Sequence, residues 1–326
     1  MKQFLDKYDT VIFDMDGVIT SEEMYWDAAA LTVDEMIKSS KYFGKEDYNA
    51  QLSQTNIAGI RARIFADDAL ISLLKNKGVN SNWDLAYITL LMCLSENTDK
   101  GEELIHIANE LSDDIFKTYK DLEAGASVSV TGLWDTLHDC FQEWVLGREE
   151  YIRIYGREPL NCGKKGLMYD EKPLLPLCDI TDVLSKLSQT KRLCIGTGRP
   201  QSEIVPQLKK WDIIKYFDAD GIVTYDEVVS AQDNFRQKLC KPHPYVFLKA
   251  LMGKSFDDDK IISGEYDKDA ICRTLVVGDA GADLFASQAM GADFCAVLTG
   301  VMREKARRFF EINNAGYILN SVCDIF

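Results

Sequence analysis

The chain has 326 residues, 46% of them hydrophobic, which is enough for a buried core and argues against disorder. It carries 37 lysines and arginines against 52 aspartates and glutamates, a net charge of -15 that repels nucleic acid and anionic membranes and excludes both as partners. The nine cysteines are odd in number and form no CxxC pair, so they read as reduced, mostly buried thiols of a cytoplasmic protein rather than as a disulfide framework.

The first segment, MKQFLDKYDT, lacks the apolar core of a signal peptide. Residues 8–19 read as a strand and a turn, within which VIFDMDGVIT (Val11–Thr20) runs from apolar residues into two aspartates and a glycine. From Ser21 to Glu171 the pattern is helical. DDALISLLKNKG predicts a helix with acidic residues at its start and lysines near its end, matching the helix dipole. LAYITLLMCL (Leu85–Leu94) is apolar but too short to cross a bilayer. EELIHIANELSDDIFKTYKDL puts Leu104, Ile107, Ala108, Leu111, Ile115 and Tyr119 on one helical face. LWDTLHDCFQEWVLG does the same with Leu133, Leu137, Phe141, Trp144 and Val145, and Gly147 is its expected stop. The five tryptophans, Trp26, Trp83, Trp134, Trp144 and Trp211, mostly fit helix faces and read as core.

After Pro173 the rhythm changes. DITDVLSKL predicts an amphipathic helix with Ile180, Val183, Leu184 and Leu187 inward. The strand RLCIG and the loop TGRP follow, then a helix with Ile204 and Leu208 inward. GIVTYDEV reads as a strand, and PYVFLKALM as a helix opened by proline and closed by Gly253. SFDDDKIISGEYDKDA (Ser255–Ala270) reads as a solvated acidic loop, with an ion site as the lesser reading. TLVVG is a strand opening into the helix DAGADLFASQAM, and DFCAVL and YILN are the last strands. Strands alternating with helices mean a parallel sheet covered on both faces. The expected architecture is therefore α/β: a Rossmann-like sheet domain formed by residues 1–20 and 172–326, with an all-helical domain, residues 21–171, inserted after strand one.

Parallel sheets hold ligands at the carboxyl ends of their strands. Four loops leave strands that way here: one delivers Asp14 and Asp16, one Thr197 and Gly198, one Lys241 within CKPHP, and one Asp279 and Asp283. Four carboxylates at one sheet edge, with Lys241 as the cation among them, crowd at high cost unless a divalent cation joins them. Oxygen-only ligands favour Mg²⁺ over zinc or copper. The Thr197 hydroxyl and the Gly198 N–H suit the non-bridging oxygens of a phosphate, although Thr197 could equally cap the helix that follows.

With these motifs in this order, Asp14-Met15-Asp16, Thr197, Lys241 and the Asp279/Asp283 pair, the sheet domain resembles the haloacid dehalogenase-like superfamily. The inserted helices lie where that family carries its C1-type cap, here longer than usual. The resemblance implies that Asp14 is the nucleophile that forms an aspartyl-phosphate. It implies that Asp16 protonates the leaving oxygen and then takes a proton from water, its backbone carbonyl also binding Mg²⁺. Asp279 is implied as a metal ligand, Asp283 as a ligand or an orienting neighbour, and Lys241 as a neutralising charge. Gly17 lets the backbone turn tightly beneath the phosphate. The family's dehalogenases lack a carboxylate at the Asp16 position, since a halide leaves without a proton, so Asp16 points to phosphoryl transfer.

The expected protein is thus a cytoplasmic, Mg²⁺-dependent phosphatase acting on a small phosphorylated metabolite, its oligomeric state open. DMDGVIT also resembles the loop of β-phosphoglucomutase-type enzymes, which keeps a phosphomutase as the first alternative; a non-catalytic binding protein on the same fold is the second. His243 reads as structural, and Arg199 as satisfying surface charge beside the phosphate loop. Arg61, Arg63, Lys164 and Lys165 read as solvated face residues, with substrate contact as the lesser reading.

Overall fold

The computed structural model describes residues 3–79, 81–112, 114–126 and 128–326. It divides into two compact units, one formed by the chain up to Ser21 together with Lys172–Phe326, the other by Glu22–Glu171.

In the first unit a 3-10 helix (Gln3–Lys7) leads into β1 (Thr10–Phe13), after which the chain leaves for the second unit. That unit is helical throughout its regular structure: α1 (Glu23–Lys38), α2 (Ala50–Gln54), α3 (Ile57–Phe65), α4 (Ala69–Asn76), α5 (Asn82–Glu96), α6 (Gly101–Glu110), α7 (Ile115–Gly125) and α8 (Leu133–Tyr155). On its return the chain forms α9 (Leu177–Ser188), β2 (Arg192–Gly196), α10 (Gln201–Lys210), β3 (Ile222–Val223), α11 (Tyr225–Phe235) and α12 (Tyr245–Met252). It ends with α13 (Asp258–Ser263), α14 (Lys268–Cys272), β4 (Thr274–Gly278), α15 (Gly281–Met290), β5 (Asp293–Val297), α16 (Arg307–Ile312) and β6 (Tyr317–Leu319). Among the described residues no helix is long and apolar enough to cross a membrane.

The six strands form one parallel sheet in the order β3-β2-β1-β4-β5-β6. β1 lies at the point where the order reverses, with Phe13 level with Ile195 on one side and Val277 on the other. Successive side chains of a strand point to opposite faces, so each strand serves two cores. Val11, Phe13, Leu193, Ile195, Leu275 and Val277 pack with Ile180, Leu184, Ile204 and Leu208 of α9 and α10. Ile12, Cys194, Val276 and Phe294 pack with Phe247, Leu251 and Leu284 of α12 and α15 on the other face. The helical unit has its own core around Trp144, Phe141, Leu91 and Phe65.

Several expectations are corrected. GIVTYDEV is a strand only at Ile222–Val223, because Thr224-Tyr225-Asp226-Glu227 is a capping box. The Glu227 carboxylate accepts from the Thr224 backbone N–H at 2.7 Å and so turns the chain into α11. The acidic segment 255–270 is not a loop but two short helices, whose N-caps Asp257 and Asp267 accept from the N–H groups of Asp259 (3.0 Å) and Asp269 (2.9 Å). The continuous face drawn from Leu104 to Tyr119 is broken after α6, where the chain turns extended at Leu111 and Lys77 Nζ donates to the carbonyls of Asn109 (2.9 Å) and Leu111 (2.7 Å). Gly147 does not end its helix: it interrupts α8 with φ 71° and ψ 174°, and the helix resumes as far as Tyr155. A Cβ at Gly147 would lie 2.6 Å from the Lys165 backbone, so glycine is what permits the two segments to touch. The thiols are also more varied than expected: Cys93, Cys140, Cys194 and Cys295 are buried, while Cys162, Cys178 and Cys272 are exposed.

Lys164 is not on a solvated face. Its side chain is 1% exposed, with Nζ 2.8 Å from Glu35 Oε2 and 2.6 Å from Glu143 Oε2, above the Trp144 ring. Burial works against its ammonium, yet Cys140, Glu35 and Glu143 hold its pKa above the ordinary value. Glu143 also accepts from the Leu160 N–H at 2.5 Å, so the cluster ties the segment after α8 to α1 and α8. Arg61 and Arg63 are likewise partly buried and ion-paired, Arg61 with Asp27 and Asp68 and Arg63 with Asp34 and Asp99, whereas Lys165 is exposed as expected. Removing one member of a buried ion pair leaves the other uncompensated, so Lys164→Met should lower the unfolding free energy by about 3–5 kcal/mol. Urea denaturation measures this, and a loss below about 1 kcal/mol would mean that the ammonium is not desolvated.

Candidate active site

The reversal of strand order at β1 opens a crevice at the carboxyl ends of β1, β2 and β4, where such sheets bind ligands. Asp14 is the first residue past β1; its N–H donates to the Val277 carbonyl at 2.9 Å, which locks its backbone to β4. Asp279 follows β4 at once, and Asp283 lies in the first turn of α15. One carboxylate oxygen from each of Asp14, Asp279 and Asp283 lies within 4.8 Å of the others.

Lys241 comes from the loop before α12. Its Nζ is 2.7 Å from Asp14 Oδ1 and 2.8 Å from Asp283 Oδ1, and 4.7 Å from the centre of the Phe247 ring. Burial opposes its charge, but Asp14 and Asp283 keep its pKa above the ordinary lysine value. Asp14 is pushed up to about 7, chiefly by burial; Lys241 opposes the rise, and Asp283 and Asp16 add to it. One ammonium thus does not offset the negative charge gathered here. The donors are hard carboxylate oxygens held close together, and they fit a hard divalent cation such as Mg²⁺ rather than a soft metal.

Glycines make room for this crowding. Gly17 has φ +73°, and a Cβ on it would fall 2.3 Å from Asp279 Cγ. A Cβ at Gly300 would fall 1.8 Å from Asp279 Oδ2, and one at Gly278 2.6 Å from Asp283 Cβ. Thr299 Oγ1 donates to the Gly17 carbonyl at 2.5 Å and fastens the loop after β1 to the loop after β5.

Asp16 is directed elsewhere than the three clustered carboxylates. Its Oδ1 accepts from Thr20 Oγ1 at 2.7 Å and lies 3.7 Å from Arg199 Nη1. Thr197 leaves β2 at the same end of the sheet; it is buried, its N–H donates to the Val223 carbonyl (3.1 Å) and its Oγ1 accepts from the Arg199 N–H (3.2 Å). Gly198 is exposed, and a Cβ there would meet nothing within 4 Å. His243 Nδ1 accepts from the Tyr245 N–H at 3.2 Å, a local turn contact in keeping with a structural role.

Two features escape the sequence reading. Arg199 is buried beside Asp16 rather than satisfying surface charge, and a single arginine in TGRP carries no sign of that. Thr299 and Gly300 leave β5 at the carboxyl edge, so the rule that found the other loops would have found them if extended to LTG after DFCAVL.

The fold and these loops define an α/β protein with its polar residues at the switch point of a parallel sheet. A family model described as HAD-hydrolase-like matches residues 239–325. No curated protein matches the sequence. A crystal structure solved by the Northeast Structural Genomics Consortium is similar, with 27% identity, TM-score 0.79 and 97% of each chain covered. A haloacid dehalogenase-like family hydrolase from Streptococcus pneumoniae shares the fold, at 13% identity and TM-score 0.50 over 98% of this chain and 97% of that one. The likeness to a HAD-hydrolase-like family is thus carried by residues 239–325, and the likeness of the whole chain is one of fold.

The glycine contacts yield a paired prediction. Gly300→Ala should displace Asp279 and cost about 1–3 kcal/mol of stability, as overpacking does. Gly198→Ala, facing open space, should change stability by less than about 0.5 kcal/mol. Chemical denaturation of the two variants side by side checks this, and equal losses would contradict the packing described.

Proposed function

We propose that this protein is a phosphatase that hydrolyses a small phosphorylated metabolite through an aspartyl-phosphate on Asp14. The observation that carries the reading is the Lys241 ammonium held between Asp14 and Asp283, with Asp279 alongside, at the carboxyl end of the central strand. The order of the motifs supports it, as does the match of residues 239–325 to a HAD-hydrolase-like family model.

Asp14 attacks phosphorus in line; the new bond runs from its carboxylate oxygen to phosphorus, and the bond from phosphorus to the leaving oxygen breaks. The departing electron pair takes the proton of the Asp16 carboxyl. Water then attacks the aspartyl-phosphate and gives its proton back to Asp16, and the Asp14–phosphorus bond breaks. Lys241 offsets charge as an anion approaches an anion, and Thr197 and the Gly198 N–H receive the non-bridging oxygens. Asp14, Asp279 and Asp283, with the Asp16 backbone carbonyl, are the residues to hold Mg²⁺, which when bound supplies further positive charge at the phosphoryl group. The odd number of cysteines, nine, and the lack of a CxxC pair support a cytoplasmic setting.

Wild-type protein should release phosphate from a panel of sugar phosphates, nucleotides, phosphoglycolate and pyrophosphate, and EDTA should abolish the release. Asp14→Asn should remove it, and acid-quenched labelling with a radioactive phosphate donor should mark Asp14 in the wild type alone. Undiminished turnover in Asp14→Asn rules the mechanism out. Isomerised sugar phosphate with little free phosphate would instead indicate a mutase.

A further inference from the structure

We propose that Arg199 and Thr20 are positioning residues for Asp16, holding its carboxyl where it can exchange a proton with the leaving oxygen. This rests on the phosphatase reading above.

Arg199 is 2% exposed, and the charged atoms facing each other are its Nη1 and Asp16 Oδ1, 3.7 Å apart. A guanidinium is costly to bury, and a carboxylate beside it offsets that cost. Thr20 is fully buried and donates from Oγ1 to the same Oδ1 at 2.7 Å. One oxygen of Asp16 is therefore approached from two directions, by a hydrogen bond from Thr20 of its own loop and by the charge of Arg199 from the loop after β2.

Both residues stand on fixed backbone. The Arg199 backbone is pinned on both sides: its N–H donates to Thr197 Oγ1 (3.2 Å) and its carbonyl accepts from the Tyr225 N–H (2.9 Å). Thr20 is pinned too, its N–H donating to the Met15 carbonyl and its carbonyl accepting from the Gly17 N–H, both at 2.8 Å. The two aspartates of DxD are consequently served by different cations. Lys241 lies on Asp14, and Arg199 lies near Asp16. A residue that attacks phosphorus and one that shuttles a proton need different orientations, and separate cations impose them.

Esters that differ in leaving group test this. 4-Nitrophenolate departs without a proton, whereas an alkoxide requires one. The experiment compares 4-nitrophenyl phosphate with an alkyl phosphate taken from those the wild type hydrolyses, for the wild type and for Arg199→Met, Arg199→Lys and Thr20→Val. In Arg199→Met and Thr20→Val, kcat/KM for the alkyl ester should fall roughly tenfold or more beyond its fall for the nitrophenyl ester. Arg199→Lys should restore part of that difference. Partial unfolding lowers both activities alike and leaves the ratio untouched. Equal losses on the two esters, including a shared rise in KM, overturn the proposal, since they mean a phosphate contact or a structural role; so does the absence of any loss. A wild type inactive on every monoester overturns the phosphatase reading and this proposal with it, whereas an active wild type with an unchanged ratio in the variants overturns this proposal alone.

Discussion

The ion pairs from Lys241 to Asp14 and Asp283 are the contacts on which the site at the sheet's edge depends. Parallel pairing brings the ends of β1 and β4 to the same level, which forces their terminal aspartates together. Without a buried cation these groups would have to protonate or separate. Even with Lys241 in place, Asp14 is pushed up to about 7, largely by its burial. The glycines at positions 17, 278 and 300 answer the same crowding sterically: where a side chain would have met Asp279 or Asp283, there is none.

The helical unit contains the same device in a different setting. Lys164 sits between Glu35 and Glu143 as Lys241 sits between Asp14 and Asp283. In both, a buried ammonium lies between two carboxylates and beside an aromatic ring, Trp144 in one case and Phe247 in the other. The difference lies in what else is present. Glu143 also accepts backbone N–H groups, which spends its remaining capacity on the fold. At the sheet edge a third carboxylate, Asp279, stands close by. The sheet-edge cluster thus gathers one more carboxylate around its ammonium than the pair that holds Lys164.

The sequence disclosed some of this and hid the rest for physical reasons. Elements with strong periodicity or a bounded apolar run, such as TLVVG and DITDVLSKL, were legible because burial alone decides them. So was the parallel sheet, from strands alternating with helices. The short elements were misread where side-chain capping outweighs hydrophobic pattern: Thr224 and Glu227 cut a strand short, and Asp257 and Asp267 turn an acidic tract into helices. The gathering of Asp14, Lys241, Asp279 and Asp283 could be anticipated, since each follows a strand or precedes a helix. The environments of Arg199 and Lys164 could not, because a buried cation and a solvated one look alike in a single sequence.

Where the inserted helices leave the sheet domain and where they return, the two chain segments are fastened together. Thr20 bridges Pro173, and the Leu174 N–H donates to the Ile19 carbonyl at 2.9 Å. To the sheet, everything between is a closed loop of fixed span. The chain entropy of closing such a loop grows only with the logarithm of its length, about 0.6 kcal/mol for each doubling. The insertion is therefore free to lengthen, shorten or be exchanged over evolutionary time with little effect on the register of β1 against β2 and β4, and the chemistry at the strand ends can stay fixed while the inserted unit diverges.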